Sequence, residues 1–181
     1  KNLIIMYNMV EHEISKPVSN NLHSLLDNWT LWAHLPHDIN WDLNSYIQIC
    51  DIETVEDATK LIENLPEVII KNCMLFLMRK GIHPTWEDPK NISGGCFSFK
   101  INNKFVYNCW KNLSYVLLGE TLVDTDISNT INGITISPKK NFCIIKIWLA
   151  NCENNNPNII CDIENLPKMG CLFKKHLNES E

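Results

Sequence analysis

Short runs of apolar residues, most of them alternating with polar ones, recur along the chain from residue 29 onward. Alternation with a period of two is typical of a β-strand with one face in the core, and turn-forming residues bound most of these runs. Asn102 and Asn103 tolerate a positive φ and predict a two-residue hairpin after the fourth run. The pattern predicts strands over residues 29–33, 45–50, 73–79, 96–101, 133–137, 142–148 and 170–175.

Three segments have the period of a helix instead. A capping-box pattern at 54–57 precedes apolar residues at helical spacing, and Pro66 ends that run. Residues 108–120 close at Gly119, and residues 157–167 begin and end with proline. These elements predict an α+β fold, a curved antiparallel β-sheet of about seven to eight strands backed by three helices, with the second face of the sheet more open.

Length and charge limit the classes of protein. The chain has 181 residues, of which 45% are hydrophobic, and no Gly/Ser-rich or Pro-rich linker divides it. We therefore predict a single domain over residues 23–181, preceded by a partly ordered arm over residues 1–22, which has no clear period. The net charge of −5 argues against a protein that coats nucleic acid with a broad basic face.

Cysteine spacing and hydropathy point to an intracellular protein. The eight cysteines include no CxxC pair and no Cys/His pair at zinc spacing, so we expect reduced core thiols and no metal. The apolar run at the start is short and is followed by Glu11 and Glu13, unlike a signal peptide. Because no apolar stretch approaches the roughly 18 to 20 residues of a membrane helix, we predict a cytoplasmic protein without membrane contacts.

Two tryptophans lie in segments that read as polar surface loops. Trp86 lies in the stretch IHPTWEDPKNISGG, where Pro84 and Pro89 disfavour a helix, and Trp41 follows another polar turn. A planar ligand between two indoles would gain roughly 1 to 3 kcal/mol per stacked face, and a cationic ring would gain more. The pair predicts a site for a flat ring.

Glu87, next to Trp86, suggests which ring. Guanine presents two adjacent donors, N1–H and its exocyclic amine, which fit the two oxygens of one carboxylate, whereas adenine lacks that pair. Each such charge-assisted hydrogen bond contributes roughly 1.5 to 3 kcal/mol. Stacking on tryptophan with readout by Glu87 therefore predicts a site that recognises guanine.

Six fragments occur in an order that resembles one known family. They are HSLLDNWTLW (23–32), the single Trp41, TVED (54–57), WEDPKNISGG (86–95), LLGE (117–120) and IWLANCEN (147–154). In this order and spacing they resemble the eukaryotic mRNA cap-binding translation initiation factors of the 4E type, over roughly residues 23 to 175. The resemblance implies a curved sheet backed by three helices that binds 7-methylguanosine of capped mRNA on its concave side.

The resemblance also implies roles for individual residues. Trp41 and Trp86 match the two tryptophans that sandwich the base, and Glu87 matches the carboxylate that reads N1 and N2. Trp148 matches the tryptophan that contacts the N7 methyl group, while the backbone amide of Trp86 would read O6. Methylation makes the purine cationic, so a sandwich of tryptophans favours the methylated base.

The basic residues that hold the cap phosphates match less well. Of the three that the family uses, only Lys139 aligns with a basic residue, and the others fall at Cys96 and Ile144. Lys140 is adjacent to Lys139, and Lys146 shares a strand face with Trp148 because side chains two apart on a strand point the same way. We therefore expect a phosphate site with weaker or relocated charge.

The convex face departs further from the family pattern. Family members bind a helix of the scaffolding initiation factor or of repressors across a tryptophan that here aligns with Thr59. Other contacts align with Asn112 and Tyr115, whereas His23 and Val55 are kept. Partner binding at these five residues is therefore predicted to be absent, remodelled or mediated by a different peptide, and the protein to be a monomer.

Other functions remain open at this stage. The protein could sequester the cap as a repressor or decoy, or it could be a homologue that has lost its ligand. An enzyme would need a metal on Glu87 and Asp88, or Cys96 as a nucleophile with His83 as its base. Adjacent carboxylates seldom converge on one ion, and no glycine loop to cradle phosphates is present. We therefore predict no catalytic residues and no cofactor, and assign Asp88 to the turn.

Overall fold

The computed structural model describes residues 22–36 and 38–177, so the arm predicted over residues 1–22 lies outside this part apart from Leu22. Its strands are β1 (Ser24–His34), β2 (Tyr46–Thr54), β3 (Met74–Arg79), β4 (Gly95–Asn102), β5 (Ile131–Pro138), β6 (Phe142–Leu149) and β7 (Leu172–Lys175). Its α-helices are α1 (Val55–Asn64), α2 (Glu67–Asn72) and α3 (Val106–Leu118), with short 3-10 turns at Leu43–Ser45, Thr125–Thr130 and Pro157–Ile159.

All seven strands form one antiparallel sheet in the order β2-β1-β3-β5-β6-β4-β7. Each strand contains or overlaps a segment predicted from the alternating pattern, and the predicted α+β class is confirmed. None of the helices in the described ranges is long and apolar enough to cross a membrane.

The two faces of the sheet differ because successive side chains point to opposite sides. On β6, Ile145 and Ile147 belong to the main core beneath the helices, whereas Trp148 belongs to a separate cluster with Phe76, Met78 and Ile82. The second cluster covers only part of its face. That face, called the open face below, therefore leaves room for a ligand.

The tryptophans of β1 and α3 differ in their burial. Trp29 and Trp110 pack into the main core. Trp32 is only half-buried and packs against the small cluster on the open face, because it lies on β1 with the opposite orientation to Trp29.

Helix α1 starts at the predicted capping box. The Thr54 hydroxyl accepts a hydrogen bond from the Asp57 amide at 3.1 Å, and the Asp57 carboxylate accepts one from the Thr54 amide at 3.2 Å. The helix stops at Asn64, with Leu65 as its C-cap, so the predicted end of this run at Pro66 is confirmed. Pro66 is also the N-cap of α2, a six-residue helix whose pattern is too short to be read from periodicity.

Two sequence predictions are wrong. The chain does not form a hairpin at Asn102 and Asn103. The Asn102 carbonyl accepts a hydrogen bond from the Phe105 amide, and its side-chain oxygen accepts one from the Lys104 amide. This turn leads the chain into α3 instead of a strand. Residues 157–167 form only a 3-10 turn, because the Cys161 amide donates to Leu122 across the domain instead of within a helix.

The end of α3 also differs from the glycine cap that was predicted. Gly119 has a φ of −82°, and Glu120 takes the left-handed conformation with a φ of 54°. The Glu120 amide donates to Leu117 at 3.0 Å and the Thr121 amide to Val116 at 2.9 Å, which is the Schellman pattern. A glutamate therefore occupies the position where glycine is usual.

A buried arginine holds that glutamate in place. Arg79 donates from both terminal nitrogens to the two oxygens of Glu120 at 2.6 and 2.7 Å. The same guanidinium donates to Asp27 at 2.6 Å and to the Ile131 carbonyl at 2.7 Å, and it lies over the Trp29 ring at 4.6 Å. The ion pair thus ties the end of α3 to strands β1, β3 and β5.

Candidate functional site

Two cavities on the open face lie beside the loop that carries Trp86 and Glu87. The first, called the Trp41 cavity, measures about 360 Å³. The second, called the Trp148 cavity, measures about 480 Å³. The Trp41 cavity is lined by Trp41, Asp42, Leu43, His83, Thr85, Glu87, Asp88 and Pro89, and the Trp148 cavity by Trp86, Cys96, Lys146, Trp148, Lys174, Lys175, His176 and Leu177.

Asp88 organises the loop, as predicted. Its carboxylate accepts hydrogen bonds from the His83 and Lys90 amides at 2.9 Å and lies 3.0 Å from the His83 ring. Burial alone would raise the pKa of Asp88, but these hydrogen bonds outweigh it and the pKa is lowered. Asp88 is thus part of the framework that presents Trp86 and Glu87.

A buried asparagine pair fixes the same loop to the sheet. The Asn91 amide group donates to the carbonyls of His83 at 3.0 Å and Thr85 at 2.8 Å, and its oxygen accepts from Asn132 at 2.9 Å. Asn132 lies where the pairing of β5 with β6 shifts by one residue. Such a bulge re-aims a side chain, here toward the loop.

Acid is expected to loosen this framework. A carboxylate whose pKa is lowered in the folded state stabilises the fold above its unfolded pKa of about 3.9, and that contribution disappears as the pH falls through the folded pKa. Asp88→Asn should lower the free energy of unfolding at pH 7 by about 1 to 3 kcal/mol. Urea unfolding of both proteins from pH 7 to pH 3 measures this, and the difference should shrink toward pH 3. A constant difference would contradict it.

Trp41 is held by a neighbouring imidazole. Its indole is 55% exposed, and one of its faces lies parallel to the ring of His34, with centroids 4.2 Å apart and planes at 2°. His34 itself is buried, lies 2.7 Å from the Asn40 carbonyl through Nε2, and meets Tyr46 edge-on at 5.2 Å. One face of Trp41 is therefore occupied, and the other is open to a ligand.

Glu87 lies on the same side of the loop as Trp41. Burial raises the pKa of Tyr46, and the negative charge of Glu87 raises it further, which places the carboxylate near the ring that supports His34. Glu87 is exposed and makes no hydrogen bond or ion pair with any described residue. The Trp86 amide likewise has no hydrogen-bond acceptor within residues 22–36 and 38–177. Both groups are free to bind a ligand.

Trp86 and Trp148, the other two tryptophans predicted to contact the ligand, line the second cavity. Trp86 is 46% exposed, whereas Trp148 is only 7% exposed and donates through Nε1 to the Thr135 hydroxyl at 2.7 Å. Trp41 and Trp86 line different cavities and make no ring contact with each other. Trp148 is thus both a core residue and part of the cavity wall.

The structure brings only one of the three predicted phosphate-binding lysines to this wall. Lys146 lines the Trp148 cavity together with Trp148, as their spacing predicted. Lys139 and Lys140 lie in the turn that precedes β6, at the end of this strand opposite to Trp148. Trp148 lies six residue steps beyond Phe142 along the strand, a distance of about 20 Å, and neither lysine lines the cavity.

Sequence reasoning missed two lysines and a histidine on β7 and directly after it. Lys174 pairs across the sheet with Cys96, the position where the family pattern has a basic residue. Lys175 and His176 line the same cavity. The alternating run 170–175 signalled a strand with lysines, but the pairing of β7 with β4 depends on the whole fold. A lysine of the neighbouring strand therefore lies beside Cys96 in the cavity wall.

The geometry does not support the two catalytic alternatives. Cys96 lines the Trp148 cavity and His83 lines the Trp41 cavity, and His83 faces Asp88 instead of a thiol. The Asp88 carboxylate is bonded to the loop backbone and does not converge with Glu87 on a common point. Among the described residues, no group of three or more His, Cys, Asp or Glu side chains is placed to hold a metal ion.

The five residues predicted for partner binding lie at the surface of the helical face. Val55 and Thr59 are exposed on α1, and Asn112 and Tyr115 are exposed on α3. The ring of His23 lies 2.7 Å from Glu56 on α1.

Tyr115 is engaged within the domain. Its hydroxyl donates to Glu63 at 2.6 Å, and burial together with this hydrogen bond raises the pKa of Tyr115 to about 12. Lys111 binds the other oxygen of Glu63 at 2.7 Å. The surface between α1 and α3 therefore carries an ion pair and a tyrosine hydrogen bond beside the exposed Val55, and position 59 is a threonine.

The fold and the loop residues agree with one protein family. A family model described as eukaryotic initiation factor 4E matches residues 24–178. Eukaryotic translation initiation factor 4E-2 of Schizosaccharomyces pombe is 28% identical over 165 residues, or 88% of this chain and 63% of that protein. The initiation factor 4E homologue of Acanthamoeba polyphaga mimivirus is 34% identical over 123 residues, or 59% of this chain and 45% of that protein. The chain thus spans less than two thirds of both relatives.

Solved structures show the same architecture. The chain superimposes on C. elegans eIF4E-3, solved with the 4E-binding protein Mextli and a cap analogue, with a TM-score of 0.71. The identity is 18%, and the match covers 86% of this chain and 94% of that one. Ascaris suum eIF4E-3, solved with the m7G cap, gives a TM-score of 0.68 at 21% identity, over 76% and 79% of the two chains. These likenesses establish the fold.

Proposed function

Because the chain belongs to the eukaryotic initiation factor 4E family, we propose that it binds the 7-methylguanosine cap of mRNA on the open face and acts in translation initiation in the cytoplasm. One observation carries the proposal: two consecutive loop residues line two neighbouring cavities. Glu87 lines the Trp41 cavity, and Trp86 lines the Trp148 cavity together with three lysines. Like the other members of this family, it acts by binding and is not an enzyme.

The base would enter between Trp86 and the side of the Trp41 indole that points away from His34. There the Glu87 carboxylate would accept from N1–H and the amine of guanine, and the Trp86 amide would donate to O6, since neither group has a partner among the described residues. Two indole faces favour the cationic methylated purine over neutral guanine. Trp148, in the wall of the adjoining cavity, lies on the side where the N7 methyl group and the phosphates would point.

Binding to immobilised 7-methyl-GTP tests the proposal. The protein should be retained and should elute with methylated cap analogue but not with unmethylated GTP at the same concentration. Free cap analogue should also quench the tryptophan fluorescence of the parent protein, and Trp86→Leu should remove most of this response while leaving the circular dichroism spectrum unchanged. Elution by both nucleotides alike, or no quenching of the parent protein, would contradict the proposal.

Relocated lysines are proposed to hold the phosphates. Lys174 is exposed, so Lys174→Gln should weaken binding of the methylated cap dinucleotide about two- to fivefold, the scale of an exposed ion pair, and should reduce its dependence on salt. Binding of 7-methylguanosine, which has no phosphate, should not change. Lys140→Gln is the matched control and should alter neither affinity. Fluorescence titrations at two salt concentrations measure these effects, and an equal loss for both ligands would argue against the assignment.

The helical face favours a second candidate function, sequestration of the cap as a repressor or decoy. Two solved relatives were crystallised with 4E-binding proteins. In this chain Thr59 replaces an aromatic contact and Tyr115 is bonded to Glu63, so the surface offered to a partner helix is more polar. A peptide of the scaffolding initiation factor, passed over the protein on cap resin, separates the two functions. Retention supports initiation, whereas flow-through supports sequestration.

A further inference from the structure

His176 lies where three parts of the Trp148 cavity meet. It follows β7, its amide donates to the Gly94 carbonyl at 3.0 Å, and its Nδ1 lies 2.6 Å from the Asn91 carbonyl. Its ring is 4.9 Å from the ring of Trp148 on β6. The imidazole is therefore held in one orientation by the Trp86 loop on one side and by the sheet on the other.

This orientation determines which nitrogen carries the hydrogen. A carbonyl oxygen only accepts hydrogen bonds, so Nδ1 must be the donor to Asn91. In the neutral ring Nε2 is then an unprotonated acceptor. It is buried and has no hydrogen-bond partner among the described residues, although His176 lines the cavity. A buried polar atom without a partner carries a desolvation cost, which a hydrogen-bonding ligand in the adjoining cavity would relieve.

The charges around the ring are positive. Lys146 on β6 and Lys174 on β7 act on the imidazole, and Lys175 and the Cys96 thiol also line the cavity. Burial lowers the pKa of His176, the two lysines lower it further, and the Asn91 carbonyl partly opposes them. No carboxylate is among the described residues that line this cavity. The lowered pKa favours the neutral ring in the free protein, and the described residues that line the cavity include three lysines and no carboxylate.

We propose that His176 is a ligand-contacting residue of the phosphate site, and that its Nε2 takes up a proton from solvent and donates it in a hydrogen bond to a phosphate oxygen when the cap binds. The proposal rests on the function proposed above. The phosphates offset the lysine charges that keep the ring neutral, and they supply the acceptor that a protonated Nε2 requires. Binding of a polyphosphate would then be coupled to proton uptake.

The sign of the pH dependence follows from this coupling. If the ring is neutral in the free protein and protonated in the complex, binding consumes a proton. A lower pH then shifts the binding equilibrium toward the complex. Affinity for a cap with phosphates should therefore rise as the pH is lowered from 8 toward 6. Affinity for the nucleoside without phosphates should lack this component.

Calorimetry in two buffers with different ionisation enthalpies counts the protons taken up. The ligands are the methylated cap dinucleotide, whose bridging phosphates do not titrate near neutral pH, and 7-methylguanosine, which carries the same base. Parent protein should take up more protons with the dinucleotide than with the nucleoside. His176→Phe, which keeps an aromatic ring against Trp148, should show no such excess and should bind the dinucleotide about tenfold more weakly, the scale of one charge-assisted hydrogen bond.

Several outcomes would overturn the assignment. Equal proton uptake with both ligands in the parent protein, or the same excess in His176→Phe, would exclude a role for this ring. If the variant does not fold, NMR titration of the His176 ring in the parent protein decides, since its pKa should be higher with the dinucleotide than without it. Failure of the parent protein to bind 7-methylguanosine would instead refute the proposed function, and this inference with it.

Discussion

Glu87→Ala is expected to lower the affinity for 7-methyl-GTP by more than about 100-fold, because two charge-assisted hydrogen bonds to the guanine edge, of roughly 1.5 to 3 kcal/mol each, would be lost. The protein should remain folded, since Glu87 is exposed and makes no hydrogen bond or ion pair with the described residues. Glu87→Gln should lower the affinity nearly as much, because one of the two acceptor oxygens is replaced by an NH2 group, which cannot accept a hydrogen bond from the donors of the base. Fluorescence titration and thermal melting measure both effects.

An exposed carboxylate outside both cavities provides the control for this experiment. Glu164→Ala removes the same charge at a residue that lines neither cavity and should leave the affinity within about twofold. A selective loss with Glu87→Ala would support direct readout of guanine. If that variant bound normally, or if its melting temperature fell sharply, the carboxylate would have a different role.

Glu120→Ala is expected to lower the free energy of unfolding by about 3 kcal/mol, the scale of a buried ion pair that has lost one partner. Arg79 and Glu120 are both almost buried, and the arginine would keep only Asp27, which is half-exposed, as a carboxylate partner. Burial opposes the charge of Arg79, whereas Glu120 and then Asp27 raise its pKa. Because a guanidinium is not deprotonated in proteins, Arg79 would stay charged after the substitution and would lack its main partner. Urea unfolding of the variant measures the loss.

Two comparisons separate the ion pair from the backbone strain at Glu120. Glu120→Gly should be less destabilised than Glu120→Ala by about 1 kcal/mol, since glycine adopts the observed φ of 54° without a penalty. Glu67→Gln breaks an exposed i,i+4 pair with Lys71 on α2 and should cost less than about 0.5 kcal/mol. A loss for Glu120→Ala as small as that of Glu67→Gln would show that the buried pair contributes little.

The strands could be predicted because their signal is local. Alternation within five to eight residues fixes which side chains face the core, and the capping box at Thr54 names the first residue of α1 in the same way. The loop site was also accessible, since Trp41, Trp86 and Glu87 are residues that a polar loop does not need for its own stability. The chemistry of their side chains was therefore informative before any coordinates.

Features that depend on distant contacts could not be predicted. Glu120 adopts a left-handed conformation because Arg79, 41 positions earlier, binds its carboxylate. Lys174 reaches the Trp148 cavity because β7 pairs with β4, and no local pattern encodes the order of strands in a sheet. The segment 157–167 begins and ends with proline, as a helix can, yet the Cys161 amide donates to the distant Leu122 carbonyl and not to a carbonyl within the segment. Tertiary contacts override the local signal in each case.

The imidazole beneath Trp41 bears on the speed of binding. A loop indole with no support exchanges among rotamers, and a ligand must then wait for the competent one. Because His34 already lies parallel to Trp41, one wall of the slot is in place before the ligand arrives. Association with cap analogue in stopped-flow fluorescence should then occur in one phase, with a rate constant that rises linearly with ligand concentration and reaches no plateau.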